Sequence, residues 1–198
     1  GNHDMGRFAT FVRAKNPAAP EAEQLARVKL AHTMLLLLRG VPTIYSGDEQ
    51  GFVGDGRDQD AREPLFASKV ASYNDNRLLG ASGTTARDNF DTAHPLYRHI
   101  AELAKLRAAR PELRRGAQRV LEAAEAPGLF AVARQAVPEN TGPLVETIVA
   151  FNTSATPLRA NVRIDGRIDI TSPLYGQCAQ PSAPGTLPVE IPPFGAIV

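Results

Sequence analysis

The sequence has no tryptophan and one cysteine, Cys178. A single thiol cannot close an internal disulfide, so packing alone must hold the fold in whichever compartment the protein occupies. Aromatic residues are scarce, at 6%. That removes most of the flat rings with which a dedicated sugar-binding surface stacks on its ligand, and Tyr175 is the one clear loop candidate. A dominant charge sign is missing too. The 22 basic and 21 acidic side chains leave a formal charge of +1. No attraction to nucleic acid or to an anionic membrane is therefore expected. The apolar run Met34 to Leu38 is far shorter than the ~20 residues of a membrane span. No basic-then-apolar leader and no initiator Met opens the chain, so a piece of a longer protein is expected. Any targeting signal would then lie upstream, which leaves a periplasmic, secreted or cytoplasmic location open.

What is present is ordinary for a globular protein: 43% hydrophobic and 22% charged residues in 198 positions, enough for one large or two small domains. Residues 21–39 read as a helix. Leu25, Val28, His32, Leu35 and Leu36 recur at spacings of three and four, and Pro20 suits the start. Its end, Met34 to Leu38, is apolar nearly all round and is expected to be deeply buried. Gly40 and Pro42 stop it. Pro42 to Tyr45 then reads as a short strand buried on both faces, half of an α/β unit. Residues 46–92 form a long loop, with Leu65, Phe66, Val70 and Tyr73 as a small core or short helix. Residues 94–110 return to helix on Leu96, Ile100, Leu103 and Leu106, with a stop at Pro111.

Beyond Gly116 short β-type runs alternate with turn residues: 119–121, 129–133, 147–151, 158–164, 168–170, 189–191 and 194–198. Leu158 to Ile164 alternates strictly, one face in and one out. The runs suggest an antiparallel β-sandwich over 117–198, separated near 111–117 from an α/β part over 1–113.

Several residues invite chemistry. Adjacent His3 and Asp4 are, by themselves, most often a solvated turn. If Pro42 to Tyr45 is a barrel strand, however, Asn2-His3-Asp4 ends the preceding strand, at the rim where barrel enzymes carry their sites. The Gly54–Asp60 segment has the composition of a calcium loop but lacks the D-x-D-x-D spacing, and Phe66 stands where the closing Glu should be. Asp60 with Arg62 reads there as a loop-bracing ion pair. His32 reads as a packing histidine. His94 and His99 lack partners at metal-ligand spacing. Cys178 has no neighbouring His to make it a nucleophile.

Asn2-His3-Asp4, together with Gly40-Val41-Pro42-Thr43-Ile44-Tyr45 through Gly51, resembles the end of the catalytic barrel in the α-amylase family of glycoside hydrolases (family 13). Asp58 to Pro64, His94 to Leu113, Phe151 to Ser154 and Ile191 to Phe194 extend the resemblance over nearly the whole chain. Ser46 departs from the second Tyr often found after Tyr45.

The resemblance implies the C-terminal part of a (β/α)₈ TIM barrel followed by a β-sandwich, acting on α-glucan or oligosaccharide with retention. It implies that Asp4 is the third catalytic carboxylate, stabilising the transition state, with His3 and Arg7 contacting the sugar. Arg7 could equally pair with a nearby carboxylate. Asn2 is expected to orient the turn, and Glu49 to be structural, meeting loop amides or an Arg. A retaining glycosidase needs two further carboxylates ~5–5.5 Å apart. In the family these stand on strands four and five, upstream of residue 1. No cofactor is implied, although calcium in the parent enzyme is compatible with the resemblance. The rest of the barrel is the expected partner, or an oligomer formed through the exposed barrel face. A transglucosidase or sucrose-acting enzyme of the same family is the near alternative. A non-catalytic carbohydrate-binding module is the distant one.

Overall fold

The computed structural model describes residues 1–56, 58–136, 145–166, 173–177 and 184–198. The helices among them are α1 (Phe8–Lys15), α2 (Glu21–Leu37), α3 (Ala71–Asn74), α4 (Pro95–Ala109) and α5 (Pro111–Arg115). The strands are β1 (Ala117–Ala123), β2 (Leu129–Gln135), β3 (Glu146–Asn152), β4 (Leu158–Arg163), β5 (Thr186–Ile191) and β6 (Ala196–Ile197). Contacts divide the chain into two compact units. One is Gly1–His32 with Pro42–Glu102, the other Thr33–Val41 with Leu103–Val198.

In the first unit α1, α2 and α4 converge on a core of Ala9, Val12, Val28, Val53, Leu79 and Leu96. Helix α2 starts with Glu21 and Glu23 at the positive end of its dipole, and Arg27 meets Glu23 one turn later at 2.7 Å. Helix α4 begins where His94 accepts the Leu96 amide on Nδ1, at 3.2 Å. Two expectations need correction here. Pro42 to Tyr45 joins no sheet among the described residues, and Thr43 is exposed. A barrel strand is buried and laddered only between two neighbours, and no other segment of this unit pairs with it. Of the small core or short helix expected in the long loop, the short helix is present as α3, which contains Tyr73, while the core is drawn from other residues. Phe66 and Val70 are exposed, while Phe52, Val53, Ala61, Leu78 and Leu79 are buried. Gly47 and Gly51 make that core reachable. Both have positive φ, and a Cβ on Gly47 would lie 2.3 Å from the Phe52 ring.

The second unit is two antiparallel sheets, ordered β1-β2-β3-β6 and β4-β5. Ala131, Ala150 and Ile197 from one sheet share a core with Val162, Leu187, Val189 and Ile191 from the other. This is sandwich packing, and β4 keeps the alternation read from its sequence. The predicted 168–170 run lies outside the described residues, as does Cys178. Pro111 was expected only to end α4; it also begins α5, at a first-turn position where proline's missing N–H costs nothing.

The end of α2 is less enclosed than its apolar sequence suggests. Leu36 and Leu37 are buried, but Leu35 is 40% exposed. Its last carbonyls are met by arginines. Arg107 donates to Leu36 and Gly40 at 2.6 and 2.7 Å. Arg134, buried in β2, donates to Leu37 at 2.7 Å and Gly116 at 3.1 Å. These cations cap the negative end of the helix dipole. Arg134→Met strands two enclosed carbonyls and is expected to cost about 2–3 kcal/mol, read by urea unfolding. An unchanged midpoint would show that the cap is idle. Among the described residues no helix is long and apolar enough to cross a membrane.

Candidate functional site

The first residues form a closed turn. The Asn2 amide donates to the Gly6 carbonyl at 3.2 Å. Asn2 Oδ1 accepts from the amides of Asp4 and Met5, at 2.9 and 2.7 Å. An Asn side chain bonding its own backbone two and three residues on is a well-suited turn former. Gly6 completes the turn at φ +90°. The turn projects His3 and Asp4 outward, with side chains 61% and 71% exposed and His3 Nε2 at 3.2 Å from Asp4 Oδ1.

Arg7, directly after the turn, points the opposite way. It is 1% exposed. Its Nε donates to Glu63 Oε2 at 2.6 Å, and its Nη1 donates to Asp48 Oδ1 at 3.0 Å and to the Ser46 carbonyl at 2.9 Å. The guanidinium also lies over the rings of Tyr45 and Phe52, 4.8 and 4.9 Å from their centroids. Arg7 is thus a root that ties the exposed turn to the 46–52 and 63 segments. The reading of Arg7 as a sugar contact is corrected to its alternative, a pair with carboxylates, because burial leaves the guanidinium no face for a ligand.

Burial raises the Glu63 carboxyl above the usual range, against the pull of Arg7. One of its oxygens, Oε1, is buried without a hydrogen-bond partner. Asp48 and Glu63 are accordingly poor candidates for attacking a bond, since both are committed to one enclosed arginine. Glu49 takes no part in this cluster; its Oε2 accepts from the Gly47 amide at 2.9 Å. The Asp60–Arg62 pair is corrected. Arg62 instead faces Asp58 at 3.5 Å, four residues back, while Asp58 Oδ1 accepts the Gln59 amide.

The sequence reading missed Glu63. It stands 56 positions from Arg7 and carries no local pattern that names its partner. The only available signal was a carboxylate flanked by Arg62 and Pro64 in an otherwise open loop.

In the Gly54–Asp60 segment Asp55 and Asp58 are engaged with protein groups. Asp55 accepts from Asn76 at 2.9 Å, and Asp58 is taken by Gln59 and Arg62. Among the described residues no three His, Cys, Asp or Glu side chains gather as metal ligands.

Burial disfavours the charged form of the enclosed histidines. Burial lowers the pKa of His32 and His94, and lowers that of His99 to about 4. His32 Nδ1 lies 2.9 Å from the Val28 carbonyl and His99 Nε2 3.0 Å from the Lys29 carbonyl. A folded pKa below the unfolded value contributes stability that is complete above about pH 6.5 and is lost as pH falls toward 4. Urea midpoints are expected to fall over that window, and His99→Gln is expected to flatten the fall. A parallel slope in the variant would remove His99 from the account.

Comparison with known proteins then gives the following. Residues 1–116 match the family described as alpha amylase, catalytic domain. An α-amylase of Streptomyces lividans is 42% identical over 200 aligned residues, taking in 100% of this chain and 21% of that protein. The chain therefore spans about a fifth of that relative's length. AmyP, solved in complex with maltose, superposes with a TM-score of 0.67 at 22% identity, covering 100% of this chain and 39% of that one. The α-amylase of Geobacillus thermoleovorans, complexed with acarbose, gives 0.65 at 20% identity over 100% and 36%. At such identities these two likenesses are of fold.

Proposed function

This chain belongs to the α-amylase family of glycoside hydrolases, and from that membership we propose that it forms the closing part of a retaining α-glucosidic hydrolase in which Asp4 stabilises the transition state. Residues 1–113 would complete the catalytic barrel, and 117–198 would form the sandwich that follows it. The observation that carries the reading is the presentation of Asp4. Its carboxylate stands 71% exposed on a turn closed by Asn2 and rooted by Arg7. Beyond His3 Nε2 at 3.2 Å, this exposure leaves the Asp4 carboxylate open to hydroxyls of a sugar.

As the pyranose flattens toward an oxocarbenium-like geometry, hydrogen bonds from its hydroxyls to Asp4 shorten and strengthen. His3, beside it, would donate to the same sugar. Arg7 and Glu63 act through the turn and touch no substrate. Asn2 and Glu49 hold backbone amides. The nucleophile and the acid/base would come from barrel segments outside these 198 residues. Those segments would also cover apolar side chains exposed here, among them Met5 at 68% and Phe11 at 43%. The substrate class is α-linked glucan or maltooligosaccharide, and the chain alone would be inactive. The experiment that tests the assignment is Asp4→Asn in a polypeptide carrying the complete barrel, read as kcat and KM separately on a maltooligosaccharide. An unchanged kcat would sink it.

A further inference from the structure

The second unit gathers positive charge where α2 ends. Between residues 105 and 119 the chain carries Lys105, Arg107, Arg110, Arg114, Arg115 and Arg119 against one carboxylate, Glu112. The fold brings Arg39 and Arg134 to this segment. Arg107, in the last turn of α4, donates to the Leu36 and Gly40 carbonyls, which flank Arg39. The Arg39 amide donates to Gln118 Oε1 at 2.7 Å, in the first residues of β1. Arg134 donates to Leu37 and to Gly116, two residues beyond Arg114. Four arginines, Arg39, Arg107, Arg114 and Arg134, therefore gather where the end of α2 meets α5 and β1.

Little on the protein balances these cations. Glu112 is buried and accepts the Thr147 hydroxyl at 2.7 Å, so its charge is turned inward. Glu146 is taken by Arg119 at 3.6 Å and by Gln135. Arg39 and Arg114 are exposed, and among the described residues neither side chain pairs with a carboxylate or holds a carbonyl. The imbalance is felt by their neighbours. Burial and then the charge of Arg114 lower the pKa of Arg107. Burial, then Arg107 and Arg39, lower that of Arg134, with Glu112 opposing. A guanidinium carries five N–H donors in a planar fork. Arg107 gives its two terminal nitrogens to carbonyls and keeps donors to spare. Arg134 Nε is buried without a partner. Like charges held this close repel, and an anion among them reverses the sign of the interaction.

We infer that Arg39, Arg107 and Arg114 form a binding site for a phosphoryl dianion, with Arg134 adding charge from the buried side. The ligand class follows from the donors. Guanidinium forks pair bidentately with carboxylate and phosphate oxygens, and a phosphoryl group offers three strong acceptors with close to two charges. One such group can meet all three forks. A carboxylate fills one fork and leaves two cations facing each other, and chloride has no pair of oxygens to match a fork. The buried Arg134 places part of the positive charge in low dielectric, where its pull on an anion is screened less than that of an open surface charge. Two sources carry this chemistry, free inorganic phosphate and a phosphomonoester on a larger ligand.

The probes are inorganic phosphate and phenyl phosphate, titrated into the full chain well above the second phosphomonoester pKa of about 6. Sodium chloride holds the ionic strength constant, and the arginine Nε–H signals in NMR and the melting temperature are read. Saturation is expected below about 5 mM, with shifts at Arg39, Arg107 and Arg114 and a rise in melting temperature. Arg39→Gln and Arg114→Gln are each expected to weaken binding at least about fivefold. Arg159→Gln, which removes an exposed cation of β4, is expected to leave it unchanged. Should one of the first two variants lower the melting temperature before any ligand is added, the other serves alone. Tighter binding of inorganic phosphate supports a site for the free ion, and tighter binding of phenyl phosphate supports one for a phosphorylated ligand. Binding that ignores both substitutions, an equal response to chloride at the same ionic strength, or no saturation at about 20 mM overturns the site. A polyglutamate peptide that binds while neither phosphate does overturns the phosphoryl assignment.

Discussion

Asp4→Asn is expected to leave the fold intact and to lower kcat by about a thousandfold in the complete enzyme, with a much smaller change in KM. The size follows from what is removed. An ionised carboxylate accepting two sugar hydroxyls makes charge-assisted hydrogen bonds, roughly twice as strong as neutral ones. They tighten as positive charge develops on the ring, so their loss falls on the transition state more than on the bound substrate. Stability should hardly move, because the Asp4 side chain is 71% exposed and its turn is closed by Asn2 and by the Asp4 amide. Equal losses in kcat and in unfolding free energy would assign Asp4 a structural role instead.

Arg7→Met is expected to give the largest loss of stability, about 3–5 kcal/mol. Burying one cation against two carboxylates is a costly arrangement that works only while all three are present. Removing Arg7 leaves Asp48 and Glu63 enclosed, with 6% and 1% side-chain exposure and no counter-charge from the guanidinium. Burial already raises the Glu63 carboxyl, and Arg7 is the main influence opposing it. In the variant the Glu63 pKa therefore rises further, and acidification protonates the stranded group. The stability gap between wild type and variant should narrow as pH falls. Adding Glu63→Gln to Arg7→Met should recover part of the loss at neutral pH. Urea unfolding at pH 7 and pH 5 reads both effects, and a gap independent of pH would point to lost packing on Tyr45 and Phe52 rather than lost charge.

These two residues show how much of the molecule could be read in advance. Asn2-His3-Asp4 was legible as a candidate site because its residue types and its distance from the Gly40–Gly51 segment carry the resemblance. Helices α2 and α4 were legible because their apolar positions repeat every three or four residues, and β4 because its sides alternate. Helix α1 was not. It is eight residues long, and its two buried positions, Ala9 and Val12, are too few to establish a period. Pro42 to Tyr45 joins no sheet among the described residues because strand character in so short a run is supplied by neighbours, not by the run itself. The pairing of Arg7 with Glu63 depends on the chain folding back across 56 positions, and no local pattern encodes that. Arg62 faces Asp58 rather than Asp60, and nothing in the local sequence of this loop distinguishes the two carboxylates.

The central claim is that these residues supply one carboxylate of a three-carboxylate centre. The most direct test is hydrolysis of a chromogenic maltooligosaccharide by the purified chain, its intact mass confirmed, beside its Asp4→Asn variant. The account predicts no turnover by either. Robust turnover that co-purifies with the wild-type chain and disappears on Asp4→Asn would contradict it, by placing a nucleophile and an acid/base within these residues.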